Sequence, residues 1–122
     1  MASIEAAMAK VAGDAGMAAK HLNCDEAVRF NSDTLFFTAS TFKIPILAEL
    51  YRQVDQDMID PNERIEVKDE FRAPGSGVFK ELGTGLHLTV YDLAMLMIII
   101  SDNTATDTLY HLVGRERLAQ TM

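Results

Sequence analysis

The chain has 122 residues and a net charge of −7, from 11 basic and 18 acidic side chains. It therefore lacks the basic surface typical of nucleic-acid and anionic-membrane binders. Hydrophobic residues make up 48% and charged residues 24%, values typical of globular proteins that exclude intrinsic disorder. The lone Cys24 excludes an intramolecular disulfide and a cysteine-based zinc site. A membrane span needs about 18 apolar residues, and the longest apolar run, residues 93–100, is far shorter.

The N-terminal segment predicts an amphipathic helix. Ile4, Met8 and Val11 recur at helical spacing, and Gly13 and Gly16 would end the helix. Charged side chains interrupt the segment and no basic leader precedes it, so it does not resemble a secretion signal.

A β-hairpin is predicted next, with strands at 17–22 and 27–31 around a turn at 23–26. A second turn is indicated by Asn31-Ser32-Asp33.

Residues 40–54 follow a helical pattern whose inward stripe is predicted to comprise Ile44, Leu47, Tyr51 and Val54. Pro45 lacks an amide hydrogen, so the first turn of this helix should be loosened. Residues 55–72 are polar and acidic and contain Pro61, which predicts a surface segment.

Residues 73–77, Ala-Pro-Gly-Ser-Gly, predict a loop. Thr89 and Asp92 then resemble a capping box at the start of a helix. The following residues 93–100 are apolar on every side, which predicts a buried helix.

Another helix is predicted after Asn103, with Gly114 as its stop. Its inward residues would be Ala105, Leu109, Leu112 and Val113, and one more helix would begin at Arg115. No third or fourth strand is evident, and a lone hairpin is marginally stable. The chain is therefore interpreted as an incomplete domain.

Ser40-Thr41-Phe42-Lys43 places a hydroxyl and an amine one helical turn apart on the same face. A serine hydroxyl is a poor nucleophile at neutral pH, and a nearby amine can activate it. The start of a helix also offers N–H groups that can stabilise an oxyanion. About 0.5 Ser-x-x-Lys matches are expected by chance in a chain of this length. Taken alone, a capping serine and a solvated lysine are the simpler interpretation.

Ser101-Asp102-Asn103 is rarer, with a chance expectation on the order of 0.02. These are also preferred residues at a helix N-cap, and a helix is predicted to begin here. Because they directly follow a helix predicted to be buried, their side chains need hydrogen-bond partners or a chemical role. Capping and catalysis both remain open.

The two motifs in this order resemble the class A serine β-lactamases and their penicillin-binding relatives. Residues 37–45, Phe-Thr-Ala-Ser-Thr-Phe-Lys-Ile-Pro, are similar to the family's entry to the nucleophile. Residues 101–109 with Gly114 are similar to its second active-site element, and residues 74–77, Pro-Gly-Ser-Gly, occur similarly in many members. The resemblance covers essentially all 122 residues.

This resemblance implies an α/β (α+β) sandwich with a helical layer. Residues 1–122 would form the N-terminal portion of a single β-lactamase-like domain. They would comprise its first helix, a β-hairpin and most of the helical layer, without the later strands.

The resemblance also implies roles for four residues. Ser40 would be the nucleophile that attacks the lactam carbonyl, its backbone N–H would form half of the oxyanion hole, and Lys43 would lower the cost of deprotonating it. Ser101 would pass a proton to the departing lactam nitrogen, and Asn103 would hydrogen-bond Lys43 and the substrate's side-chain amide. The implied reaction is β-lactam hydrolysis through an acyl-serine, without cofactor or metal, hence β-lactam catabolism and antibiotic resistance. Members of the family are usually exported.

Two parts of the family's machinery are not found in these 122 residues: the Lys-Thr-Gly strand with the second oxyanion donor, and the loop whose Glu activates water for deacylation. We therefore expect the 122-residue chain to be inactive in turnover and, with apolar surface uncovered, to self-associate. A penicillin-binding peptidase-like or esterase-like relative and a non-catalytic truncated domain are the alternatives. Gly75-Ser76 stands where many members have an aromatic residue beside the cleft, so substrate preference stays open.

The remaining candidates favour structural roles. His21, His87 and His111 lack metal-ligand spacing. The acidic residues between 55 and 66 lack a calcium-loop pattern, which favours a solvated face.

Overall fold

A helix and a β-hairpin make up the first of two units, Met1–Phe37. The computed structural model describes residues 2–122, with side chains from residue 4 onward. Helix α1 spans Ala2–Met8, and strands β1 (Met17–Lys20) and β2 (Ala27–Phe30) pair antiparallel with Met17 opposite Phe30. The hairpin prediction is confirmed, with each strand slightly shorter than expected.

The first helix is shorter than its sequence pattern predicts. It ends at Met8, and Val11 lies beyond it with a largely exposed side chain. The amides of Lys10 and Val11 instead donate to carbonyls three residues back, in a tightened turn. Short helices depend on tertiary packing for their stability. Because Val11 is exposed, its side chain contributes little packing that would stabilise a further turn of α1.

The second unit, Thr38–Met122, is built mainly of helices. The helices are α2 (Lys43–Asp55), α3 (Val90–Ile99), α4 (Asn103–Val113) and α5 (Arg115–Thr121). Short 3-10 turns lie at Ala39–Phe42, Asp69–Phe71 and Phe79–Glu81. Among the helices described between residues 2 and 122, none is long and apolar enough to cross a membrane.

A second antiparallel pair of strands corrects the expectation that no further strand exists. Strands β3 (Arg64–Glu66) and β4 (His87–Thr89) pair with Ile65 opposite Leu88. Each strand has three residues with one partly buried apolar side chain at its centre. A strand this short shows no alternating pattern, and its partner lies far along the chain, so the sequence pattern missed both.

Helix α2 begins as predicted but buries a different face. A 3-10 turn precedes Lys43, in agreement with the loosened first turn expected from Pro45. The predicted inward stripe is wrong at Ile44 and Tyr51, which are exposed, whereas Leu47 and Val54 are partly buried. The buried face combines apolar and polar residues: Lys43, Ile46, Glu49, Leu50 and Gln53. A buried face predicted from apolar residues alone is therefore rotated around the helix axis from the face that is buried in the structure.

Helix α3 is capped as predicted, since the Thr89 hydroxyl accepts a 3.0 Å hydrogen bond from the Asp92 amide. The prediction that this helix is buried all round is wrong. Leu93 and Met97 are fully buried, whereas Ile99 on the opposite face is 68% exposed. Self-association through this exposed face stays a prediction.

Helix α4 confirms its predicted inward residues Ala105, Leu109 and Val113, while Leu112 is partly buried. Gly114 ends it with φ +82°, and α5 follows directly. The core of the second unit lies between α2, α3 and α4. It comprises Ile46, Leu50, Val67, Phe79, Val90, Leu93, Ala94, Met97, Ala105, Leu109 and Val113.

A buried carboxylate joins the C-terminal half of α2 to α5. Glu49 is fully buried and accepts hydrogen bonds from the Arg52 guanidinium, the Gln53 amide and the Thr121 hydroxyl. Gln53 also donates to the carbonyl of Val113 at 2.8 Å, at the end of α4. The hydrogen bond from Arg52 is the main cause that lowers the pKa of Glu49 to about 2.

This lowered pKa predicts a pH dependence of stability. The Glu49 carboxylate stabilises the folded chain fully above its ordinary pKa of 4.5, and the contribution is lost as pH falls from there to about 2. Glu49→Gln should lower the free energy of unfolding at pH 7 and flatten its decline between these pH values, as measured by urea unfolding. Glu116→Gln, at an exposed position of α5, serves as the control. An unchanged pH slope in Glu49→Gln would contradict a stabilising role of this carboxylate.

Candidate active site

Ser40 and Lys43 stand at the start of α2. Ser40 lies in the 3-10 turn and is exposed, while Lys43 is the first residue of the α-helix and only 2% exposed. Ala39, directly before Ser40, has a φ of +44°. A non-glycine residue in this left-handed region costs of order 1–3 kcal/mol, and such strain clusters at functional sites.

The Ser101-Asp102-Asn103 segment joins α3 to α4. Ser101 also has a left-handed backbone, with φ +57°. Asp102 is the N-cap of α4, since its Oδ1 accepts a 2.9 Å hydrogen bond from the Ala105 amide. The capping interpretation of this segment therefore holds for Asp102, while its two neighbours point to different partners.

A hydrogen-bond network brings the two motifs together. Lys43 Nζ donates to the Ser101 carbonyl at 2.7 Å, to Ser101 Oγ at 2.7 Å and to Asn103 Oδ1 at 2.9 Å. Ser101 Oγ in turn lies 2.9 Å from Ser40 Oγ. All four residues proposed from the sequence are thus in one connected cluster, in which Ser101 stands between the hydroxyl of Ser40 and the amine of Lys43.

The surroundings of Lys43 disfavour its charged form. Burial lowers the pKa of the Lys43 amine below its ordinary value of 10.5, and the negative charges of Asp102 and Asp107 oppose this only in part. A lowered pKa makes the neutral amine, which can accept a proton, easier to reach near neutral pH.

Residues 72–83, which we call the 72–83 loop, form hydrogen bonds to Asn103 of this cluster and to its neighbour Asp102. The carbonyl of Pro74 accepts a 2.7 Å hydrogen bond from Asn103 Nδ2, and that of Ser76 a 3.0 Å bond from the Asn103 amide. The amides of Val78 and Phe79 donate to Asp102 Oδ2 at 2.6 and 3.1 Å. The sequence predicts a loop in this region but does not reveal these contacts.

The glycines of this loop are the signal that could have revealed the contacts. Gly77 has φ +114°, and a Cβ built on it would lie 2.6 Å from Asp102 Cα. Gly75 has φ +96°, and its Cβ would lie 2.8 Å from Asn103 Nδ2. Both positions combine a left-handed backbone with close approach, for which glycine is the suited residue.

An open groove of about 340 Å³ adjoins the cluster. Ser40, Lys43 and Ser101 line its polar side, and Ile44, Met97 and Ile98 its apolar side. A lining that combines apolar side chains with a few polar groups is typical of small-molecule sites.

Within the second unit, His87 and His111 are not part of the cluster. His111 stacks on Phe71 with ring centroids 4.3 Å apart, and the His87 ring contacts the Gly85 carbonyl. In residues 2–122, no group of three His, Cys, Asp or Glu side chains is placed to hold a metal ion.

The close approach at Gly77 predicts a local cost of substitution. Gly77→Ala should destabilise the chain by about 1–3 kcal/mol more than Gly85→Ala, because overpacking against Asp102 costs about this much. Gly85 is the matched control, since its φ is +74° but its Cβ would meet open space. The two variants are compared by urea unfolding, and equal stability would show that Gly77 does not need the close contact.

The family model described as the beta-lactamase enzyme family matches residues 1–122. A search of the curated proteins finds no significant match. Among solved structures, a beta-lactamase from Sphaerobacter thermophilus is 40% identical with a TM-score of 0.87; the match covers 98% of this chain and 44% of that one.

Two further solved structures are also similar. PBP-A is 28% identical with a TM-score of 0.88, covering 98% of this chain and 46% of its own, and a mutant of it is known as an acyl-enzyme complex with penicillin G. An ancestral class A beta-lactamase is 25% identical with a TM-score of 0.85, covering 98% of this chain and 46% of its own. The chain thus spans less than half the length of these relatives.

The mixed α/β fold of the chain matches the corresponding part of the class A beta-lactamase fold. With the family matched over the whole sequence, the chain belongs to the beta-lactamase enzyme family.

Proposed function

We propose that this chain carries the acylation machinery of a serine hydrolase that opens β-lactams, with Ser40 as the nucleophile. The observation that carries the proposal is the chain of contacts from Ser40 Oγ through Ser101 Oγ to Lys43 Nζ, at 2.9 and 2.7 Å. A base that is linked to the nucleophile by hydrogen bonds and held in place by other groups can activate a serine, and here the link from Ser40 to Lys43 runs through Ser101.

The hydrogen bonds of Lys43 support a specific proton route. Two of its three acceptors, the Ser101 carbonyl and Asn103 Oδ1, can only accept. The third, Ser101 Oγ, is a hydroxyl that can donate as well. A neutral Lys43 would keep both carbonyl contacts and reverse only the bond to Ser101. Ser101 would then be ready to take the proton of Ser40.

The bond changes of acylation balance along this route. Ser40 Oγ forms a bond to the lactam carbonyl carbon, and its proton passes through Ser101 to Lys43. The carbon–nitrogen bond then breaks, and Ser101 returns a proton to the departing nitrogen. The Ser40 amide, in the first turn of the 3-10 segment, belongs to the N–H groups that lack partners within a helix, and would donate to the oxyanion.

Asn103 would serve the substrate as well as the lysine. Its Oδ1 accepts from Lys43 and one hydrogen of its Nδ2 goes to the Pro74 carbonyl. An amide nitrogen carries two hydrogens, so the second can donate to a carbonyl on the substrate's side chain.

A penicillin-binding enzyme is the second candidate. Its support is the likeness to PBP-A, whose mutant is known as an acyl-enzyme with penicillin G. The two candidates share the acylation step proposed for Ser40 and differ in the fate of the acyl-serine, which a β-lactamase hydrolyses.

The proposal predicts slow, Ser40-dependent labelling by a fluorescent penicillin. Ser40→Ala should abolish the adduct in the 122-residue chain, detected by intact mass and peptide mapping. Lys43→Met and Ser101→Ala should slow labelling by about 10²-fold or more, the range that positioned proton transfer contributes. A chromogenic cephalosporin should not be turned over, because these residues include no Lys-Thr-Gly and one missing oxyanion donor costs about 10²–10³ in rate.

Ser32→Ala is the matched control, since Ser32 is an exposed serine in a turn of the first unit, and it should label at the rate of the unsubstituted chain. Adduct formation in Ser40→Ala, or steady cephalosporin turnover by the 122-residue chain, would contradict the roles proposed for Ser40, Lys43 and Ser101. An unsubstituted chain that never labels would support a non-catalytic domain instead.

A further inference from the structure

Arg72, at the start of the 72–83 loop, forms hydrogen bonds to backbone carbonyls near the end of the same loop. Its guanidinium donates to the carbonyls of Phe79 at 2.6 Å, Leu82 at 2.8 Å and Gly83 at 2.5 Å. Its Nε also donates to Asp69 at 2.8 Å. The Arg72 side chain is 20% exposed, and its hydrogen bond to the Phe79 carbonyl is partly buried.

Only an arginine side chain has enough N–H donors, suitably spread, to make these contacts. Arginine offers five N–H donors in a planar fork, whereas lysine has three donors on a single nitrogen. Four acceptors spread over Asp69 and three backbone carbonyls cannot be reached by one ammonium group. Arg72 therefore closes the loop in a way that no other side chain reproduces.

The same loop also forms hydrogen bonds to residues of the candidate active site. Residues 73–79 of the loop make five hydrogen bonds to the 102–104 segment. Their loop atoms are the amides of Ala73, Val78 and Phe79 and the carbonyls of Pro74 and Ser76. Four of these five bonds go to Asp102 and Asn103, and the fifth to the Thr104 hydroxyl.

We propose that Arg72 is a positioning residue for the candidate active site: by closing the 72–83 loop it holds Asp102 and Asn103 where Asn103 meets Lys43. It touches none of the proposed reacting atoms. The effect of Arg72 passes along the loop to the carbonyls of Pro74 and Ser76, which accept hydrogen bonds from Asn103. From there it passes through Asn103 Oδ1 to Lys43 Nζ at 2.9 Å. The catalytic consequence rests on the proposed function, whereas the hold on Asn103 does not.

Backbone hydrogen exchange measured by mass spectrometry on the 122-residue chain tests the structural step. In Arg72→Gln, exchange should accelerate by about tenfold or more in peptides that contain the Val78, Phe79 and Asn103 amides, because several hydrogen bonds to a charged donor are lost. Peptides from α2 should keep their protection. Arg72→Lys should give an intermediate effect.

Arg64→Gln is the matched control. Arg64 also donates from its guanidinium to a backbone carbonyl, that of His87 at 2.8 Å, but it lies on β3 outside the loop. This variant should leave exchange at Val78, Phe79 and Asn103 unchanged. Unchanged exchange in Arg72→Gln, wild-type behaviour of Arg72→Lys, or equal acceleration in all segments would overturn the proposal.

The rate of Ser40 labelling by the fluorescent penicillin tests the catalytic consequence. Arg72→Gln should label at least about tenfold more slowly, in proportion to its loss of protection at Asn103, and Arg64→Gln at the unsubstituted rate. Full-speed labelling despite an opened loop would overturn the catalytic part. If the unsubstituted chain does not label at all, the proposed function fails, and hydrogen exchange alone then decides whether Arg72 positions Asn103.

Discussion

The candidate active site depends on the buried carboxylate of Asp102. Its side chain is 1% exposed and is satisfied by three backbone amides, those of Val78, Phe79 and Ala105. Burying a carboxylate is costly unless hydrogen bonds replace its water. The need to supply these donors fixes the loop against the start of α4, and with it the two residues that flank Asp102.

Lys43 belongs to a different helix, α2. Packing of Ile46 and Leu50 into the core sets the position of α2, and the first turn of that helix then carries Lys43 to Ser101 and Asn103. Further along α2, Glu49 in its middle binds Thr121 at the end of α5, and Gln53 in its last turns binds the Val113 carbonyl at the end of α4. Buried polar groups therefore hold α2 at its start, its middle and its last turns, which restricts how far Lys43 can move relative to α4.

Much of this arrangement could be predicted from local patterns. The hairpin, the Thr89 cap, the inward residues of α4 and the stop at Gly114 all depend on residues a few positions apart, where propensity and capping rules apply. The pairing of Ser-x-x-Lys with Ser-Asp-Asn likewise singled out four residues that lie together in space. Their catalytic roles remain proposals.

The features that the sequence concealed depend on distant contacts or on buried polar groups. Strands β3 and β4 are too short to show a period, and they pair across the 72–83 loop. The inward face of α2 was misplaced because Lys43, Glu49 and Gln53 are buried beside apolar residues. The exposure of Ile99 could not be inferred from composition, since an apolar helix does not show which of its faces is covered.

In the proposed function, burial beside Ser101 and Asn103 prepares Lys43 to act as a base. The most direct test is a ¹³C NMR titration of the lysine Cε signals, with Lys43 assigned by comparison with Lys43→Arg. We expect the pKa of Lys43 to lie below its ordinary value of 10.5, in the direction set by its burial. A Lys43 that titrates at 10.5 or above would contradict this claim.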